Sequence, residues 1–221
     1  MDAGSISVVM PYYDRRHALD CTLRSYEQYG SDVEVIIVDD GSPSRLEVSG
    51  VKVITLPRKA IGYSPVVPIN IGVEYASHDL IAISLPEVEH RTPALYAMRT
   101  LVRDGVYVSA RVWCASMSRW LASPEYEPPP DLQQEKPVGY PFNFCVMFTR
   151  ETWQKVGGMS RAYRWGSHFD DTDFVHKLKA ANIAPVWVDD VVVHTRDGAR
   201  APWVKGGWAE NKRIFDASWL S

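Results

Sequence analysis

Residues 33–42 read VEVIIVDDGS. The apolar run Val35–Val38 shows no alternation of polar and apolar positions, so it reads as a strand buried on both faces. It stops at Asp39-Asp40-Gly41-Ser42, four residues that favour turns. Upstream, ISVVM (6–10) is a β-branched run ending at Pro11, and it predicts a first strand. Between them, RRHALDCTLRSYEQYG (15–30) places Ala18, Cys21, Leu23 and Tyr26 at rough helical spacing, with Gly30 suited to a C-cap. Downstream, VKVITLP (51–57) reads as a strand, NIGVEYA (70–76) as a helix and LIAISLP (80–86) as a further strand. This order predicts an α/β fold whose central, mostly parallel sheet is flanked by helices. Open α/β sheets bind ligands beyond the carboxyl ends of their strands. The polar clusters at 11–14, 39–42 and 86–90 all fall at such ends.

The second half continues with a helix, ALYAMRTLVRDG (94–105), and a strand, VYVSARVWCA (106–115). Residues 123–141 carry six prolines and read as a long loop inside one domain. NFCVMFTRETWQKVGG (143–158) predicts a strand and a short helix. RWGSHFDDTDFVHKLKAANI (164–183) passes from loop into helix. PVWVDDVVVHTRDG (185–198) reads as a last pair of strands, and the tail as helical from about Trp208. Trp113, Trp153 and Trp187 fall in regular patterns and are expected in the core. Trp165 and Trp203 fall in loops, where an indole is free to meet a ligand. No internal repeat is present.

Composition narrows the function classes. The chain has 221 residues and a net charge of −3, with no basic block, which disfavours nucleic acid as the main partner without excluding it. Its three cysteines, Cys21, Cys114 and Cys145, show no CxxC spacing, so neither a disulfide framework nor a zinc site is expected. MDAGSISVVMPYYDRR lacks the features of a secretory leader, and no run approaches the ~18 apolar residues of a membrane span. The expectation is a cytoplasmic protein without a membrane span.

VVMPYYD together with EVIIVDDGSP resembles the family 2 glycosyltransferases of the GT-A fold, a Rossmann-like domain. In that family a Pro-x-Tyr-Asn-like turn follows the first strand, and a later strand ends in Val-Asp-Asp-Gly-Ser. Here the turn is Pro11-Tyr12-Tyr13-Asp14, with Asp in place of Asn, and Val38-Asp39-Asp40-Gly41-Ser42 matches in full. The resemblance covers roughly residues 5–200. It implies one GT-A domain over 1–221, with 1–92 binding the nucleotide sugar and 93–221 the acceptor. It implies Pro11, Tyr13, Asp39 and Asp40 as the nucleoside-binding residues. A carboxylate at a strand end can accept base N–H and ribose hydroxyl groups. The plainer reading of the same residues is a strand-to-loop turn. The family's Arg-Asn-x-Gly-like helix start corresponds to Ile69-Asn70-Ile71-Gly72, without the arginine. Arg58 and Lys59 lie upstream, where they could meet phosphate or form only a solvated face.

The family's Asp-x-Asp metal motif is missing. Ser84-Leu85-Pro86 stands at its place, followed by Glu87. LPEVEH (85–90) resembles a subset of the family with Asn-Pro-Glu-x-x-His there. A single carboxylate suits Mn²⁺ or Mg²⁺ when phosphates and water complete the shell. Glu87 is the expected ligand, against a plain loop acid. Glu89 is unassigned, and His90 either fixes the loop or meets the ligand. VVVHTRDG (191–198) resembles a late strand whose histidine joins the metal. That makes His194 the second ligand, with Arg196 near the diphosphate, although a lone histidine after an apolar strand is commonly structural. His194-Thr195-Arg196-Asp197 is similar to the His-Ser-Arg-Asp of galactosyltransferase-like relatives.

RWGSHFDDTD resembles the Trp-Gly…Glu-Asp-x-Asp segment of inverting GT-A enzymes. By that resemblance Asp171 is the general base and Asp170 helps hold the acceptor. Acids at a helix start also complement the helix dipole, and Asp173 fits that role. The expected activity is transfer of a sugar from a UDP- or GDP-sugar to a hydroxyl of a glycan, lipid-linked sugar or other acceptor, with inversion and with Mn²⁺ or Mg²⁺. The alternatives are a catalytically inactive nucleotide-sugar-binding module and a sugar transferase acting on modified nucleic-acid bases. A nucleotidyltransferase would need a glycine-rich phosphate loop near the N-terminus, and MPYYDRRHA has none.

Overall fold

In the computed structural model, which describes residues 4–57, 64–126, 142–164, 168–195 and 207–219, the first half builds four parallel strands. β1 (Ile6–Tyr12) is buried at every position and pairs with β2 (Val33–Asp39) from Ile6↔Val33 to Tyr12↔Asp39. β3 (Lys52–Thr55) flanks β2, and β4 (Leu80–Ser84) flanks β1. The register brings the carboxyl ends of β1 and β2 level, so their polar turns meet.

The sheet then changes direction. β8 (Cys145–Thr149) runs antiparallel to β4, and β6 (Tyr107–Cys114) antiparallel to β8. β9 (Pro185–His194) is parallel to β6, β5 (Val88–His90) closes that edge, and β7 (Arg119–Ala122) pairs with β6. The described strands form one mixed sheet in the order β3-β2-β1-β4-β8-β6-β9-β5. Among the described strands, parallel pairing joins β1 through β4 and recurs only at β6–β9.

Helices cover both faces. α1 (Arg16–Tyr26) and α3 (Ala94–Leu101) pack Leu19, Tyr26, Leu95 and Met98 against Val8, Met10 and Val108. On the other face, α2 (Val66–Tyr75), α4 (Arg150–Val156), α5 (Asp170–Ala180) and α6 (Gly207–Trp219) bury Ile69, Trp153, Phe174 and Phe215 against Val9, Ile83 and Phe148. Burying a side chain such as Ile69 or Phe215 contributes about 1.5–3 kcal/mol. α2 lies close to the sheet because Gly72 has no side chain: a Cβ there would sit 2.2 Å from Val9 Cγ1.

Several boundaries differ from the sequence reading. α2 starts at Val66, because Pro68 falls in the first turn, where a backbone N–H has no intrahelical partner to lose. α1 buries Ala18, Leu19, Thr22 and Tyr26, while Cys21 and Leu23 lie at its margin. Residues 185–194 form one strand rather than two. Asp189 and Asp190 are accommodated by a bulge opposite Ser109 and Arg111, with Arg111 Nη2 3.6 Å from Asp189 and Thr92 Oγ1 donating to Asp190 at 2.5 Å. Trp153 is buried as expected. Trp113 and Trp187 are half-buried, and Trp113 packs edge-on against Trp120 at 5.1 Å. Among the described residues, no helix is long and apolar enough to cross a membrane.

Candidate functional site

The two turns that end β1 and β2 are knitted together by Ser42. Its Oγ donates to Asp39 Oδ1 at 2.6 Å and accepts the Asp14 N–H at 2.9 Å, and its own N–H reaches Asp39 Oδ1 at 3.0 Å. Asp39 is fully buried, and its Oδ2 has no hydrogen-bond partner among the described residues. Asp40 is also buried, with its N–H donating to Tyr12 O at 2.9 Å. Asp14 takes φ 47° and Gly41 φ 79°. Asn and Asp are the non-glycine residues that tolerate this left-handed conformation best, which explains how Asp14 can stand at the Asn position.

Beyond these turns lies a small, partly open cleft, running from Pro11 and Tyr13 past Arg15 and Glu87 to Asn143 and Asp171. Asp39 and Asp40 do not line the cleft; they sit at its back, in the turn bonded to Asp14.

Glu87 is 7% exposed. Arg15 Nη1 donates to its Oε1 at 2.6 Å, and His194 Nε2 lies 3.6 Å from the same oxygen. The β5–β9 pairing delivers this meeting: Val88 pairs with His194, and Glu87 O accepts the Thr195 N–H at 2.8 Å. Burial pulls the His194 imidazole down, but hydrogen bonding and charge from Glu87, with Cys114 adding, raise it above its ordinary value.

Glu87 Oε2 and His194 Nδ1 are buried without hydrogen-bond partners among the described residues. A carboxylate oxygen and an imidazole nitrogen are donors that suit Mn²⁺. Among the described residues no group of three or more His, Cys, Asp or Glu is placed to hold an ion. The two unpartnered atoms are of a kind that could contribute to a site completed by substrate oxygens and water. Ser84, at the place of the missing acid, is fully buried, with its Oγ 3.4 Å from His90 Nε2.

Glu89 and His90 leave the site. Glu89 pairs with Arg91 at 2.9 Å. His90 turns inward, sharing hydrogen bonds with Tyr29 OH at 2.7 Å and Tyr26 OH at 3.2 Å, and burial pushes its pKa down to about 3. It fixes the loop onto α1 as a neutral ring.

Asp170 and Asp171 open α5. Asp171 Oδ1 accepts from Asn143 Nδ2 at 2.9 Å, and Asn143 Oδ1 accepts from the buried Tyr107 hydroxyl. Asn143 reaches the cleft because β8 runs antiparallel to β4, so the residues before Cys145 lie beside those after Ser84; Phe144 O accepts the Leu85 N–H at 3.0 Å. Asp170 is 5% exposed; burial, and then the charge of Asp171, push it up to about 8. A carboxyl raised in this way can stay neutral and donate a hydrogen bond. The Asp173 side chain does more than complement the helix dipole: its Oδ1 accepts from Trp219 Nε1 at 2.9 Å and Tyr163 OH at 3.4 Å.

The model for glycosyl transferase family 2 matches residues 7–157. The chain belongs to glycosyl transferase family 2. As a family 2 chain it carries the GT-A fold, and a solved structure is similar to it: the mannosyltransferase PcManGT from Pyrobaculum calidifontis, in complex with GDP-Man and Mn²⁺. The two are 15% identical, with a TM-score of 0.57, over 86% of this chain. This chain spans 56% of the length of that protein, and the likeness concerns the fold. A comparison with curated proteins found no match.

Of the residues expected at the site of this family 2 chain, the cleft gathers Pro11, Tyr13, Glu87 and Asp171. His194 stands against Glu87, and Asp170 precedes Asp171. Arg58, Arg196, Trp165 and Trp203 lie outside the described residues. Sequence reasoning missed Arg15, Asn143 and Tyr107. Arg15 directly follows the PYYD turn and was legible as a cation at a strand end. Asn143 and Tyr107 carry no sequence signal, because their roles come from strand pairing.

Proposed function

We propose that this chain is an inverting glycosyltransferase moving a sugar from a UDP- or GDP-sugar to an acceptor hydroxyl. Residues 1–92 hold the donor and 93–221 the acceptor. The observation that carries the reading is that one cleft, beyond the carboxyl ends of β1 and β4, holds both the Arg15–Glu87 pair and Asp171.

Pro11 and Tyr13 form the wall beside the nucleoside; Asp39 and Asp40 are its proposed anchors by the family motif, although both are buried and neither lines the described cleft. Arg15 faces the diphosphate, and Arg58 and Arg196 are further candidates for that role. Glu87 and His194 would hold Mn²⁺ or Mg²⁺, which supplies positive charge beside the leaving diphosphate. Asp171 takes the proton of the acceptor hydroxyl as that oxygen attacks C1 from the face opposite the nucleotide. The bond from C1 to the diphosphate oxygen breaks, its electron pair leaves with the diphosphate, and the anomeric centre inverts. Neutral Asp170 can donate a hydrogen bond to the acceptor. Asn143 keeps one Asp171 oxygen occupied and the carboxylate aimed into the cleft.

The test is calorimetric titration of UDP and GDP, with and without Mn²⁺, into the wild type, Glu87→Ala and Arg15→Ala. One nucleotide binds, more tightly with Mn²⁺. Glu87→Ala loses the metal effect, and Arg15→Ala weakens binding on the order of tenfold, as expected for one charge-assisted contact. Absence of binding by either nucleotide sinks the reading. Incubating UDP-glucose or GDP-mannose with the protein then tests turnover.

A further inference from the structure

We propose that Asn211, on the C-terminal helix α6, is a positioning residue for Asp171. It acts by holding the left-handed turn from which α5 starts. The proposal rests on the reading of Asp171 as the base.

His168 and Phe169 take φ 70° and 66°, and they are the one consecutive pair of positive-φ non-glycine residues among the described residues. A side chain with a Cβ disfavours this conformation, and a bulky ring disfavours it more. Such a turn persists only where its surroundings over-determine it. It also stands immediately before Asp170, and Phe169 O accepts the Asp173 N–H at 2.7 Å as the first rung of the helix. The turn therefore sets the direction in which Asp170 and Asp171 are presented.

α6 supplies the restraint. Asn211 is 1% exposed, and its Nδ2 donates to His168 O at 2.9 Å. The Phe169 ring is buried against Phe215 at 5.4 Å and Trp208 at 5.7 Å. One helical turn or more along, Trp219 Nε1 donates to Asp173 Oδ1 at 2.9 Å, which clamps the same face of α5. A buried amide is costly unless it is hydrogen-bonded, and the His168 carbonyl is what the Asn211 Nδ2 finds. Asn143 then grips the carboxylate from the sheet side, while α6 grips the backbone that carries it.

The experiment uses hydrolysis of UDP-glucose or GDP-mannose, whichever nucleotide the titration selects, with water as the acceptor. It compares wild type, Asp171→Asn, Asn211→Leu, His168→Gly and the Asn211→Leu/His168→Gly double variant. Leucine keeps the branched heavy-atom skeleton of Asn211, with bulkier methyl groups, and removes the donor. Asn211→Leu should lower kcat by on the order of a hundredfold, the cost of a small misplacement of a reacting group, with KM for the donor unchanged. His168→Gly should retain wild-type kcat and, in the double variant, restore most of the loss, because glycine adopts φ 70° without penalty. Asn211→Leu with kcat within twofold of wild type overturns the proposal. So does a loss that falls on KM and kcat together, or one that glycine fails to rescue, since either marks a general structural role. If Asn211→Leu does not fold, amide hydrogen exchange at Asp170–Asp173 in Asn211→Ser decides: unchanged protection overturns the proposal. No hydrolysis by wild type, or hydrolysis untouched by Asp171→Asn, overturns the base reading, and the proposal with it.

Discussion

Asn143 and Asp171, 28 residues apart in the chain, are joined by a 2.9 Å hydrogen bond from Nδ2 to Oδ1. An ionised carboxylate only accepts, so the amide presents Nδ2 to Asp171, and the Tyr107 hydroxyl donates to Asn143 Oδ1 on the other side. The consequence is a cleft-lining carboxylate with one oxygen held from the sheet side.

Replacing Asn143 by Ala should therefore lower kcat by about 10²-fold with little change in nucleotide affinity, because it frees the carboxylate without touching the donor side. Donor hydrolysis, read alongside UDP and GDP titration, checks this. An equal loss in nucleotide affinity would assign Asn143 to donor binding instead.

Asp170 makes stability depend on pH in the direction opposite to the common acid case. Its folded pKa, about 8, lies above the 3.8 of the free side chain. The folded state thus holds a proton that the unfolded chain has released. The contribution is full below pH 3.8 and is lost as pH rises toward about 8. Asp170→Asn imitates the protonated form permanently. Its melting temperature should exceed that of wild type at pH 8 and converge with it below pH 4, in thermal melts across that range. A variant less stable than wild type at pH 8 would count against a neutral Asp170.

His90 works from the other side. Its folded pKa of about 3 lies below the ordinary 6.5, so the unfolded chain binds the proton first. Stability from the neutral buried ring is present above pH 6.5 and is lost as pH falls toward about 3. Between pH 6.5 and 4 the wild type should lose several kcal/mol from this group, on the scale of ~1.4 kcal/mol per unit. Denaturant melts of His90→Gln, which keeps hydrogen-bonding capacity toward Tyr26 and Tyr29, should show a flatter acid limb.

Gly72 sets the distance between α2 and β1. Gly72→Ala places a Cβ 2.2 Å from Val9 Cγ1 and should destabilise the protein by about 1–3 kcal/mol through overpacking. Val9→Ala, which shortens the facing side chain, should recover part of the loss in the double variant. Urea denaturation of the four proteins measures the coupling.

Much of the first half of the chain was legible from local pattern. An apolar run ending in Asp-Asp-Gly-Ser can only be a buried strand leaving the sheet into a turn. The family 2 motif then names the residues of that turn. The second half was less legible. Asp189-Asp190 reads as a turn, because a strand with two acids in mid-run is locally unfavourable; Arg111 and Thr92, far away in sequence, make it acceptable. His90 reads equally well as a ligand or a latch, and only its burial against Tyr26 and Tyr29 decides for the latch.

By itself, then, the sequence determined the α/β class and the positions of the strand ends, because hydrophobic period and turn chemistry are local properties, while the family resemblance singled out Asp39, Asp40, Glu87, Asp170 and Asp171. The tertiary structure decided what those residues meet. The antiparallel β4–β8 pairing brings Asn143 to Asp171, the β5–β9 pairing brings His194 to Glu87, and the packing of α6 holds the turn before Asp170. Contacts between residues so distant in the chain depend on register and packing, which no single stretch of sequence encodes.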